Sequence, residues 1–128
     1  MKITERYGLP FVSMTVMFRE RPLTLTRVLL DTGSAGTLLN ADAVQQIGMV
    51  PEENDLVDMI RGVGGVEYVY TKNVDAIWVG ESTIKDFQVE IGNMDYGLEL
   101  DGILGFNFLK QAGAVINVQR MVLSVINA

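Results

Sequence analysis

The stretch "RVLLDTGSAGTLLN", residues 27–40, decides how this chain reads. Val28, Leu29 and Leu30 form an apolar, strand-like run that ends on a single acid, Asp31, followed at once by Thr32, Gly33 and Ser34. A carboxylate placed where apolar neighbours keep water scarce is costly unless something pairs with it or uses it. Asp and Gly are also common turn residues, so this stretch alone is also compatible with an ordinary turn.

Outward from Asp31, most apolar segments are short, rich in Val and Ile, and separated by Gly. They are "FVSMTVMF" (11–18), "LTRVLL" (25–30), "VEYVYTK" (66–72), "VDAIWVG" (74–80), "TIKDFQVEIG" (83–92) and "MVLSVI" (121–126). Partial alternation and β-branched or aromatic content mark them as strands. Turns are expected at "ERPL" (20–23) and "NVQR" (117–120). Two segments read as helices: "NADAVQQIG" (40–48), with Asn40 as N-cap and Gly48 at the end, and "GFNFLKQAG" (105–113). The acidic "PEENDLVD" (51–58) reads as a solvated loop. The class is all-β with one or two short helices. The chain shows no repeat, low-complexity tract or linker, so residues 1–128 are expected to form one domain.

Composition narrows the chemistry. Hydrophobic residues make 48% of the chain and charged ones 20%, a globular balance. Histidine and cysteine are both absent. Ser-His-Asp and Cys-His nucleophiles are therefore excluded, and no metal or other cofactor is expected. Acid–base work must come from carboxylates, Lys or Tyr. The formal net charge of −6 repels nucleic acid and anionic membranes, and no basic stripe offsets it. The opening "MKITERYGLPF" lacks a signal-peptide core and no run reaches membrane-span length, which points to a cytoplasmic protein.

Two further motifs belong with Asp31. "MIRGVGGVEYV" (59–69) is a glycine-rich hairpin candidate, and "DGILGFNFL" (101–109) places two bulky apolar residues between glycines ahead of a helix. Each is unremarkable alone. Their order along the chain resembles the retropepsin-like aspartic proteases, from about Phe11 to Ile126. That resemblance implies a closed β-barrel of the acid-protease type. It makes Asp31, Thr32 and Gly33 the catalytic loop, with Thr32 bonding across a dimer axis and Gly33 allowing close backbone approach. It makes about Asp58 to Tyr68 a flap with Val63 near the tip, Ile103, Leu104 and Gly105 a segment threaded behind the site, and Val122 to Ile126 a strand of a dimer sheet. The implied substrate contacts are Ser34, Ala35, Met59, Ile60, Gly62, Val63, Gly64, Asp101 and Ile103. Ser34 is expected to donate to the outer oxygen of Asp31. Turn capping is the other reading for Thr32, Ser34 and Asp101.

The family chemistry uses two carboxylates sharing a proton, and this chain has one Asp-Thr-Gly. The resemblance thus implies a homodimer acting on peptide or protein substrates, without nucleic acid or membrane partners. Retroviral members often carry an Asp–Arg ion pair where this chain has Ala35 and Phe106. Both charges are missing together, so an apolar contact is expected in their place, and the form resembles bacterial or cellular members. A different class remains open: a dimeric module of the same fold that binds peptide or assembles a larger protein without hydrolysis.

Overall fold

A computed structural model describes residues 1–62 and 65–125. More than half of the chain is β-sheet, joined by two short helices. The first strands are β1 (Thr4–Arg6), β2 (Leu9–Phe18) and β3 (Arg21–Leu30). In β2, Met14, Val16 and Phe18 are buried at every second position, the period of a strand with one face on a core. The β2–β3 turn falls on Arg19 and Glu20, overlapping the expected "ERPL" only at its first residue, and both residues adopt positive φ (49° and 68°). Such turns match the twist of the flanking strands. Here Asp75 receives the Glu20 N–H at 2.9 Å and Glu52 pairs with Arg19 at 2.7 Å, which helps hold an otherwise unfavourable backbone.

Next come β4 (Leu38–Asn40) and α1 (Ala41–Val44), whose N-cap Asn40 accepts from the N–H groups of Asp42 and Ala43. A 3-10 turn over Gln45–Ile47 then ends at Gly48, which has φ 77°. Strands β5 (Val57–Gly62), β6 (Gly65–Val79) and β7 (Ser82–Gly92) follow. The chain closes with β8 (Gly102–Leu104), α2 (Phe106–Ala112), β9 (Ala114–Asn117) and β10 (Val122–Val125). The two runs seen at 66–72 and 74–80 are one strand, because Asn73 keeps register opposite Gln88.

Strands β2, β3, β8, β4, β7 and β6 pair in a circuit that β2–β6 closes through Thr15–Met17 against Ala76–Trp78. The barrel is uneven: β4 and β8 have three residues each, β7 eleven. Its interior holds the large core, including Met14, Val28, Leu39, Ile77, Leu104 and Phe108. A second cluster of Phe11, Leu38, Val69, Met94 and Leu100 lies apart from it, with Leu29, Ile60 and Ile103 packed on it. Pairing of β3 with β8 is parallel, Leu30 opposite Leu104. The loops that start at Asp31 and Gly105 therefore leave the sheet side by side.

The last strand is paired within the chain. β10 pairs with β9 on one side. On the other, the Met1 ammonium donates to Leu123 O at 2.6 Å, Leu123 N–H to Met1 O at 2.8 Å, and Ile3 N–H to Met121 O at 2.8 Å. Val122 and Leu123 are thus flanked on both sides by their own chain. Ile126 lies outside the described residues. Among the described residues, no helix is long and apolar enough to cross a membrane.

Candidate active site

Asp31 follows the last residue of β3 and is partly exposed. Its N–H donates to Leu104 O at 3.1 Å, extending the β3–β8 ladder by one residue. Its carbonyl receives Ser34 N–H at 3.3 Å, and its Oδ1 receives Gly33 N–H at 2.9 Å. A Cβ on Gly33 would stand 3.2 Å from that same oxygen, so a larger residue would crowd the carboxylate. This anchors Oδ1. Among the described residues, no hydrogen bond is made to Oδ2.

The second loop locks onto the first through main chain. Phe106 N–H donates to Ser34 O at 2.7 Å. A Cβ on Gly105 would overlap the carbonyl of Gly36, so any side chain there would force the two loops apart. Between them lies Thr37, fully buried, a residue that sequence reasoning missed. Its Oγ1 accepts the buried Gly105 N–H at 3.2 Å and donates to Asn107 Oδ1 at 2.9 Å. No local spacing signals this role, because the partners are about seventy positions away.

The other expected contacts divide. Thr32 and Ala35 are exposed beside Asp31. Ser34 does not donate to Asp31: its hydroxyl goes to Gly36 O at 2.8 Å and tightens the loop. Ala35 and Phe106 are both exposed, Phe106 to 50%. Asp101 is not free at a pocket rim. It accepts Arg27 N–H at 3.0 Å and binds the Arg27 guanidinium at 3.0 Å, at the far end of β8 from Leu104.

Met59 and Ile60 were both expected to contact substrate from the flap, but adjacent strand residues face opposite ways. Ile60 packs on the second cluster with Ile103, whereas Met59 pairs with Tyr68 on the outer face, both exposed. Gly62 ends β5 opposite Gly65. Val63 and Gly64 lie outside the described residues.

The sequence model of the aspartyl protease family matches residues 14–108, from β2 into α2. The chain belongs to the aspartyl protease family. No curated protein matches it closely enough to count as a relative. The match spans the Asp31 loop, the β5–β6 arm and the Gly105 loop. It omits β1 and the β9–β10 hairpin.

Around this aspartyl protease core, tertiary structure places charges that the sequence did not single out. Glu90 of β7 sits beside Gly36, where its carboxylate occupies the space of the missing side chain. Burial raises its pKa above the usual carboxylate range, and the nearby Asp58 charge adds to this. Glu67 of β6 receives Met94 N–H at 2.8 Å and the Tyr96 hydroxyl, tying the β5–β6 arm to the segment before β8. Burial, and then the Glu67 carboxylate, push the Tyr96 phenol up.

At the base of the same arm, Lys72 is only 5% exposed and binds Glu52 at 2.5 Å and Asp55 at 2.8 Å. Hydrogen bonds from Arg19 and Lys72 hold Glu52 down at about 2. A hollow of about 560 Å³ is lined by this network, and another of about 340 Å³ lies between α1 and Tyr68 and Tyr70. Asp31 lines neither. The larger hollow is lined in part by mutually paired charges and lies off the Asp31 loop, so size does not make it the site.

Proposed function

We propose that this protein is an aspartic endopeptidase that works as a homodimer, with Asp31 of each copy meeting at a twofold axis. The observation that carries this reading is the state of Asp31: Oδ1 is held by Gly33 N–H, while among the described residues Oδ2 has no hydrogen-bond partner. Membership of the aspartyl protease family supports it. So does the single Asp-Thr-Gly, since the chemistry needs two carboxylates.

In this mechanism two facing carboxylates share one proton, because like charges that close do not both ionise. The ionised Asp31 takes a proton from a water as its oxygen attacks the scissile carbonyl carbon. The protonated partner gives its proton to the carbonyl oxygen. Collapse of the tetrahedral species breaks the C–N bond, and a carboxyl proton passes to the leaving amine. The β5–β6 arm covers an extended peptide whose backbone pairs as a strand, with Ile60 and Ile103 supplying apolar surface. The exposure of Thr32, on the Asp31 loop, and of Phe106, at the start of α2, supports assigning them to the contact with the second copy.

Asp31→Asn is expected to abolish cleavage of a mixed peptide library between pH 3 and 7 while the dimer persists or tightens, because repulsion at the axis is removed. Mass spectrometry of the digests and sedimentation of both proteins test this. Undiminished cleavage by the pure variant overturns the assignment. A wild-type dimer that binds peptides and never cuts them points to the non-hydrolytic module.

A further inference from the structure

Glu90 lies where two walls of the proposed cleft approach each other. It pairs with Leu38 of β4 and is opposite Thr71 of β6. Residues opposite one another in a sheet share a face, so Glu90 stands on the face that carries Leu38 and Val69. Those two belong to the apolar cluster under Ile60. One wall is the Asp31 loop, which Glu90 reaches at Gly36. The other is the β5 arm, whose Asp58 is close enough to act on the Glu90 charge. Asp58 is opposite Val69 and so lies on this face too. Among the described residues, no ion pair or side-chain hydrogen bond involves Glu90, while Asp101, Glu52 and Asp55 each have a cation. A half-buried carboxylate at the edge of an apolar floor lacks its counter-charge, and an incoming side chain is what can bring one.

We infer that Glu90 is a specificity-determining residue of the cleft, selecting peptides that present a lysine or arginine side chain close to an apolar one. This rests on reading the space between the Asp31 loop and the β5 arm as the peptide cleft. A charge-assisted contact in a partly desolvated place discriminates by about tenfold or more against an uncharged analogue such as norleucine.

The test has a cleavage arm and a binding arm, both on the full chain with one library in which lysine, arginine, glutamine and norleucine alternate at every position. Wild type is scored for cut products and the Asp31→Asn variant for captured peptides. Each is repeated with Glu90→Gln, which keeps the shape and relieves repulsion with Asp58; thermal melting confirms that it folds. The expected result is about tenfold enrichment of lysine and arginine over norleucine at one position, lost with Glu90→Gln in both arms. Captured peptides without that enrichment, or an enrichment unchanged by Glu90→Gln, overturn the inference. If nothing is cut but the Glu90-dependent enrichment appears among captured peptides, the peptidase reading fails and the role of Glu90 stands. If nothing is cut and nothing is captured, both fall.

Discussion

At the scale of single residues, the site is built by atoms that are missing as much as by those present. Gly105 lies against the main chain of Gly36, where no Cβ fits. Gly105→Ala is expected to cost roughly 2–4 kcal/mol, because the obstacle is main chain and does not rotate away. Urea unfolding measures this directly. A loss below ~0.5 kcal/mol would mean the two loops part easily, and the anchoring of Asp31 through Leu104 would need another explanation. Asp31 itself was legible from type and order alone. Thr37 and Glu90 were not, since a threonine after a glycine and a glutamate in an alternating strand are commonplace, and their partners come from distant parts of the chain.

At the scale of elements, the β5–β6 arm is held at two places. Glu67 ties its middle to Met94 and Tyr96, and Lys72 with Glu52 and Asp55 pins the loop that leads into β5. Thr71 N–H to Leu56 O, at 3.0 Å, continues the pairing past the strand end. The "PEENDLVD" segment is therefore more than a solvated loop, because two of its acids hold a buried lysine.

The pin has a defined pH range. Glu52 titrates near 4.5 when free and at about 2 in the fold. A depressed folded pKa gives stability that is complete above the free value and disappears as pH falls through the folded one. The Glu52 contribution is thus intact above about pH 5 and fades towards pH 2. Glu52→Gln is expected to flatten the fall in melting temperature between those limits relative to wild type. Parallel pH–melting profiles for the two proteins would show that Glu52 is not part of the pin. The same window leaves the arm anchored across the mildly acidic range in which paired carboxylates work.

At the scale of the whole molecule, assembly sets charge against apolar contact. Each copy carries −6, and two acids would meet at the axis. Salt screens such repulsion, with a Debye length of about 8 Å at 0.15 M, and leaves apolar burial largely intact. The dimer is therefore expected to be tighter at moderate salt and about pH 5 than at low salt and about pH 8. Activity should rise faster than linearly with enzyme concentration when dilute. Sedimentation and rate measurements at matched concentrations check both. A monomer under all conditions that cleaves in proportion to its concentration overturns the paired-carboxylate mechanism. Met1–Ile3 pairs with β10 within the chain, and exposed Phe106 bonds the Asp31 loop through its N–H to Ser34 O.

What the sequence by itself determined is what short-range chemistry encodes. Alternation and β-branched residues marked the strands, Asn40 and Gly48 bounded the first helix, Gly105 and Gly113 the second, and the order of three motifs gave the aspartyl protease family. Tertiary structure alone decided the rest. It joined 66–72 and 74–80 into one strand, since register along β7 carries through Asn73. It turned Ile60 inward and Met59 outward, turned Asp101 to Arg27 and Ser34 to Gly36, and closed β10 against the start of its own chain. Each of these depends on which distant backbone lies opposite. In a sheet protein, register between strands is a long-range property, and a shift of one residue exchanges the two faces. Local spacing names the strands. Only their pairing says what each side chain meets.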